Sequence, residues 1–297
     1  MKILFPCHEL DGLKKVDDAY LEEYNSAKLI GFECFLFDHD KFVRGCLSTN
    51  LNTFEQEETI MLRSWMLKPS EYRDLFDIIK EGYNALLVNN PNQYINCHYF
   101  TGSYELIKSH TAKSISISLT ELNEEMLQHV SDTFSGKSFL MKDFVKSAKE
   151  RPELFIMPAG ISGKDLLKKV EEFIEYRGSL FNEGIVFKEF EELYIDVDGN
   201  LNEWRLFFMN GDLVSNSPNS NQKEPLIKPS DFFVKDVVSI IASKLDSNFF
   251  TIDVAMKKNG TWMIVETGDG QVSGLSPFQN ILEFYTSIQM RQLKSTH

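Results

Sequence analysis

Two acidic residues face each other across a turn near the end of this 297-residue chain. Phe249 to Met256 and Thr261 to Thr267 read as strands, and Asn259-Gly260 between them is a strong two-residue turn signal. Such a hairpin sets Lys258 opposite Thr261, Met256 opposite Met263, and Asp253 opposite Glu266. Ile252, Val254, Met256, Met263 and Val265 then share an apolar face. The two acids lie on the other face, with Cβ atoms roughly 5 Å apart. Like charges at that spacing repel, and a divalent cation is the natural compensator, because carboxylate oxygens are hard ligands suited to Mg²⁺ or Mn²⁺. The bland alternative is a solvated acid pair, or one acid paired with a lysine such as Lys257. The run Thr267-Gly268-Asp269-Gly270-Gln271-Val272-Ser273-Gly274 weighs against it. Glycines there let the backbone approach a ligand, and Asp269 adds a third candidate metal ligand.

Basic residues interrupt three apolar strands. Lys142 stands within Phe139-Leu140-Met141-Lys142-Asp143-Phe144-Val145, Lys188 within Ile185-Val186-Phe187-Lys188-Glu189-Phe190, and Arg205 within Glu203-Trp204-Arg205-Leu206-Phe207-Phe208. A lysine so placed must pair, snorkel or meet an anion, since burying an unpaired ammonium is costly. Each alone is ordinary, a strand lysine facing solvent. Three in successive strands, beside an acid pair, fit a phosphate cradle, and Lys146 and Lys149 continue the basic character. His8 and Asn89-Asn90-Pro91 are weaker candidates to face a cleft. Arg63, Trp65 and Lys68 could bind an acidic acceptor or simply anchor a surface loop.

Composition limits what these residues can serve. With 31 basic and 44 acidic side chains, the formal charge of −13 disfavours a nucleic acid partner, while a small anion such as ATP needs only a few convergent lysines. Apolar residues make up 42%, enough for a sizeable core. The four cysteines lack metal-site or disulfide spacing and read as inert thiols of a reducing compartment. There is no signal-like start and no run long enough to span a membrane, so the cytoplasm is the expected location.

The elements that position the site alternate early. Lys2 to Phe5, Phe32 to Phe37 and Tyr83 to Val88 read as strands. A helix from Val16 to Gly31 and one from Pro69 to Gly82 lie between them. Later, Ser138 to Val145 and Ile185 to Phe190 are strands flanking a helix, Lys164 to Arg177. Asp198-Gly199 and Asn210-Gly211 signal hairpins, Asn216 to Pro229 is a polar loop, and Asp231 to Leu245 is a helix. The chain is thus α/β for its first third and antiparallel α+β thereafter, with a boundary near residues 108–120.

These residues resemble the ATP-grasp superfamily. The Asp253 and Glu266 hairpin looks like its C-terminal metal hairpin, Ser138 to Lys142 like the strand whose lysine contacts phosphates, and Gly184 to Phe190 like its hinge strand. Glu203-Trp204-Arg205 resembles the acid-x-Arg element of the glutamate-ligase branch. Lys142, Lys188 and Arg205 together look like the divergent clade named for one arginine and two lysines, which includes a eukaryotic cell-division-cycle family that assists assembly of a translation initiation factor. The resemblance implies a pre-ATP-grasp Rossmann-like domain at 1–112 and an ATP-grasp domain at 113–297, split at 190/191. It implies that Glu189, Phe190 and Glu191 read adenine, that Glu203 reaches the ribose or Arg205, and that Lys142 and Lys188 hold phosphates. Asp253, Glu266 and Asp269 would hold Mg²⁺. The implied activity is a carboxylate–amine ligase acting through an acyl phosphate, with Lys142 and Arg205 as catalytic residues. The carboxylate and amine are unspecified, free or carried on a protein or peptide. The alternative is an ATP-dependent assembly factor for a partner protein. Three departures stand out: Glu266-Thr267-Gly268 replaces the usual Glu-x-Asn, no glycine-rich loop follows Lys142, and Lys188 stands where many relatives carry Glu.

Overall fold

The computed structural model describes residues 1–134, 136–145, 150–219 and 227–295. Lys146, Lys149 and part of the polar stretch between Asn216 and Pro229 lie outside the described residues. Three sheets organise the chain.

The first sheet holds β1 (Lys2–His8), β2 (Gly12–Val16), β3 (Cys34–Phe37), β4 (Glu58–Leu62) and β5 (Ala85–Leu87). β3, β1, β4 and β5 run parallel in that order, and β2 returns antiparallel to the end of β1. Ile3, Leu4 and Phe5 are fully buried, as are Ile60, Met61 and Leu62, the continuous burial expected of strands covered on both faces. Val16 belongs to β2, opposite Cys7, and not to the following helix, which runs Leu21–Ile30. That helix ends at Gly31 with φ 102°, a left-handed cap that glycine adopts without strain. The helix Pro69–Tyr83 passes Gly82 and stops at Asn84, whose left-handed backbone is held by its side-chain bond to Phe54 O.

The second sheet is antiparallel, in the order β6 (Ser114–Ser118), β9 (Gly184–Glu189), β7 (Phe139–Asp143), β8 (Ile156–Met157). Strand alternation gives it two unlike faces. Phe139, Met141, Ile185 and Phe187 pack under the helices Glu124–Thr133 and Gly163–Arg177, while Leu140, Lys142 and Lys188 look the other way, into a cleft.

The third sheet runs β11 (Asp212–Pro218), β10 (Glu203–Met209), β12 (Phe249–Met256), β13 (Trp262–Asp269), all antiparallel. Asn210 and Gly211 form its first turn with φ 51° and 81°, the type I′ geometry their types favour. Asp198-Gly199 makes no such hairpin. The Asp196 carboxylate instead accepts from the N–H groups of Asp198 and Asn200, closing a local loop with one isolated bridge.

One face of this sheet packs Leu206, Phe208, Ile252, Val254 and Ile264 against the helices Pro91–His98 and Phe100–Ile107. The other face changes character along the strands. Phe207, Met209 and Phe249 at one end share a core with Ile3 and Phe5 of the first sheet, and Arg205, Asp253 and Glu266 at the other end line the cleft. Packing therefore continues across residue 112. The C-terminal helix Ile281–Ser295 contributes Phe284, Tyr285 and Ile288 to the same core.

Candidate functional site

The β12–β13 hairpin carries the acid pair, through a register that differs from the simple one. Lys257 N–H donates to Thr261 O and Gly260 N–H to Lys257 O, so the loop has three residues, closed by Gly260 at φ 83°. Met256 thus faces Trp262 and Val254 faces Ile264. A β-bulge at Val265 then absorbs one residue, and beyond it Asp253 faces Glu266. The two irregularities cancel for the acids and not for their neighbours. Met263 and Val265 turn to the cleft, and Ile264 takes the core position beside Ile252 and Val254.

The same register decides Asp269. It pairs with Phe250, on the face opposite Glu266, and is fully buried away from the cleft. Its carboxylate accepts from Asn89 Nδ2 at 2.6 Å and from Gln271 N–H at 2.9 Å. Burial pushes its pKa up to about 7. Asp269 is therefore separated from the acids it was expected to join, and among the described residues no three metal-donor side chains converge.

The five residues Lys142, Lys188, Arg205, Asp253 and Glu266 do share one cleft, of about 660 Å³, between the second and third sheets. That is within the range of about 300–1,000 Å³ typical of small-molecule sites. Lys142 Nζ lies 2.6 Å from Glu266 Oε2. Arg205 grips Asp253 with Nε at 2.9 Å and NH2 at 2.7 Å, and donates from NH1 to Gly274 O at 3.1 Å. Lys188 Nζ donates to Val265 O at 2.6 Å and sits 4.8 Å from the centre of the Phe100 ring. Burial, then the neighbouring Lys142 charge, lower its pKa from 10.5 to about 7. A buried lysine of this kind is ready to be charged by an arriving anion.

Glu203 is buried and lines the cleft, as do Glu189 and Glu191. Glu189 is ion-paired with Lys137, and Glu191 lies 3.5 Å from Lys257. The N–H groups of Glu189 and Phe190 are already bonded to Lys113 O and Ser138 O, so of this stretch they offer no backbone donor to a base. Phe190 is 41% exposed and outside the cleft lining. Arg63, Trp65 and Lys68 do not form a surface cluster: Arg63 is buried on Glu23, Trp65 donates to Asp17, and Lys68 precedes the helix that Glu71 caps. His8 accepts from the N–H groups of Leu10 and Asp11, and Asn89 is buried on Asp269 and Phe249.

The sequence reading missed Tyr176 and Arg177, which close the cleft from the end of the helix Gly163–Arg177. Arg177 pairs at 3.1 Å with the fully buried Asp143. An acid inside an apolar strand was the available signal that a cation had to come to it. A second hollow, about 70 Å³, continues from the cleft past Asp253 and Glu266, walled by Met66, His98, Thr251 and Ser273.

Two antiparallel sheets closing on a cleft of strand-borne cations and an acid hairpin define an ATP-grasp architecture. Residues 133–288 match the family described as ATP-grasp domain, R2K clade family 3, and the chain belongs to it. Among solved structures it is similar to the D-cycloserine synthetase DcsG, with TM-score 0.63, 12% identity, and 97% of this chain and 99% of that one covered. D-alanyl-alanine synthetase A from Vibrio cholerae matches with TM-score 0.61 at 11% identity over 100% and 98%. The macrocyclase MdnC from Microcystis aeruginosa, bound with precursor peptide MdnA, matches with TM-score 0.61 at 10% identity over 98% and 100%. At such identities the likeness carries the fold alone. A sequence search of curated proteins finds no match. Among the described residues no helix is long and apolar enough to cross a membrane.

Proposed function

We propose that this chain binds ATP with Mg²⁺ in the cleft and activates a carboxylate, through an acyl phosphate, for ligation to an amine. One observation carries the reading: three cations from three strands and two opposed acids meet in a single cleft that is apolar on one side. Leu140, Met263 and Val265 supply the apolar wall a base requires. Lys142 and Lys188 would hold phosphates, and Arg205 would face charge developing on the transferring phosphoryl group.

Asp253 and Glu266 fit the metal. Mg²⁺ is usually held by one or two carboxylates together with substrate phosphates, so a third acid is not required. When bound, it would neutralise phosphate charge. Lys142 would turn from Glu266 to a phosphate oxygen, leaving that Glu266 oxygen to the metal. No side-chain nucleophile is needed, and catalysis would rest on positioning and electrostatics. The hollow beyond the acids would admit the reacting groups of the acceptor.

Calorimetry of ATP with and without Mg²⁺, on the parent and on Asp253→Asn with Glu266→Gln, tests the site. Mg²⁺-dependent binding in the parent that disappears in the double variant supports it, and no binding by the parent overturns it. ADP release that depends on added carboxylate and amine then supports ligation. Binding without such release would instead favour ordering of a docking surface for a partner protein.

A further inference from the structure

Arg63 lies outside the cleft, yet it is fully buried and every donor of its guanidinium is used. Nε and NH2 donate to the two oxygens of Glu23, at 2.8 and 3.0 Å. NH1 donates to Gly270 O and to Gln271 O, the latter at 3.3 Å, and NH2 reaches Ser273 O at 2.9 Å. Five N–H donors in a fixed fork meet one carboxylate and three backbone carbonyls. Tyr285 OH completes the set by donating to Glu23 at 2.7 Å.

The three carbonyls belong to the loop that follows Glu266, and the loop is pinned elsewhere too. Gln271 is fully buried, accepting from Leu62 N–H and donating to Tyr72 OH at 2.7 Å. Gly270 lies so close to Phe249 that an added Cβ would stand 2.8 Å from the ring. The far end of the loop is Gly274, whose carbonyl accepts from Arg205, the residue that grips Asp253. Hydrogen bonds run from Tyr285 through Glu23 and Arg63 to the loop, and from Gly274 at its end to Arg205 and Asp253, the loop backbone joining the two sets.

Stability alone does not explain such a cluster, because a buried ion pair is often replaceable by apolar side chains at no loss. The fork's value is geometric. We propose that Arg63 is a positioning residue, which fixes the Gly270–Gly274 loop so that Arg205 and Asp253 are set for the metal–nucleotide complex. This rests on the nucleotide reading above. Lysine at this position keeps a charge for Glu23 and cannot span the three carbonyls, having a single ammonium and no fork.

The test is ATP binding by calorimetry with and without Mg²⁺, alongside the melting temperature, on the full chain. In Arg63→Lys the metal-free affinity should stay within about twofold of the parent while the gain in affinity from the metal falls by about tenfold or more, the scale of an outer-shell defect. A second variant, Arg63→Met with Glu23→Leu and Tyr285→Phe, removes the charges and keeps the volume. It takes the Arg63 donors from the Gly270 and Ser273 carbonyls, so its melting temperature should fall below the parent's, and it should lose the metal gain. Tyr285→Phe alone, the mildest change, should lose part of it and decides the matter if the others do not fold. A folded variant of either multiple-contact kind that keeps the parent's full metal gain overturns the proposal, as does an unaltered gain in Tyr285→Phe when that variant stands alone. A parent with no metal gain overturns the nucleotide reading instead, so the two failures are distinct.

Discussion

Arg63 and Arg205 are each bidentate to a carboxylate, and both reach the loop after Glu266. Their surroundings differ. The Arg63 side chain is 1% exposed and closed on protein groups at every donor, whereas that of Arg205 is 20% exposed and forms part of the cleft wall. An ion pair sealed on all sides can only hold its neighbours in place. A pair with one side open to a cavity can also trade a partner for an arriving ligand, at a smaller cost because water replaces what is lost. Burial and charge are shared by scaffold and site; access is what separates them.

The largest expected effect breaks or supports that contrast directly. Arg63→Met strands the Glu23 carboxylate in the core and should cost about 3–5 kcal/mol in urea unfolding, the usual price of halving a buried pair. Arg205→Met leaves Asp253 beside the cleft, where water can reach it, and should cost about 1–3 kcal/mol. Equal losses would show that the opening makes no energetic difference.

The next prediction concerns pH. Lys188 has its pKa lowered to about 7 in the fold against 10.5. Below pH 7 both folded and unfolded chains carry the proton and the burial penalty is complete. As pH rises from 7 towards 10.5, the unfolded chain binds more protons, so stability should climb across that window. Asp269, away from the cleft, has its pKa pushed up from 3.8 to about 7 and works in the opposite sense: stability should fall as pH rises through that window. Urea titrations across pH should therefore show a minimum near neutrality, and Lys188→Met should remove its alkaline limb.

A smaller signal sharpens the cleft's side of the comparison. At about pH 8 Lys188 is largely neutral, and its recharging beside a phosphate must draw a proton from the buffer. ATP binding measured in buffers of different ionisation heat should show uptake approaching one proton, absent in Lys188→Met. Smallest of all, Phe190→Ala removes an exposed ring and should change stability by under about 0.5 kcal/mol, with nucleotide affinity unaltered. A marked loss of affinity would bring that side chain into the site.

The sequence showed Lys142, Lys188 and Arg205 because a charge inside an apolar strand has few places to go, and the cleft is where all three meet. It showed the Asp253 and Glu266 pairing through a register that omitted two irregularities of opposite sense, a three-residue loop and the Val265 bulge. The same omission placed Met263 and Val265 in the core and left Asp269 looking available. Helices 91–98 and 100–107 are not legible in the sequence, since their buried residues, Pro91, Tyr94, Cys97, His98, Phe100, Ser103 and Ile107, are too mixed in polarity for a clear helical stripe. Arg63 was noticed as unusual, but its partner Glu23 lies 40 residues earlier on another element.

By itself, then, the sequence determined which residues could not rest quietly where they stand: charges among apolar neighbours, and two acids held across one hairpin. Local pattern suffices for that, because burial cost and strand periodicity act over a few residues. Only the tertiary structure decided where each charge found its partner. Strand register turned Asp269 to the face that packs on the helix Pro91–His98, packing of the third sheet against the first enclosed Arg63 in its clamp, and the gap between the second and third sheets left Arg205 and its neighbours at a cleft. Which of two similar ion pairs is sealed and which is open is settled by how whole sheets meet, and no window of sequence contains that.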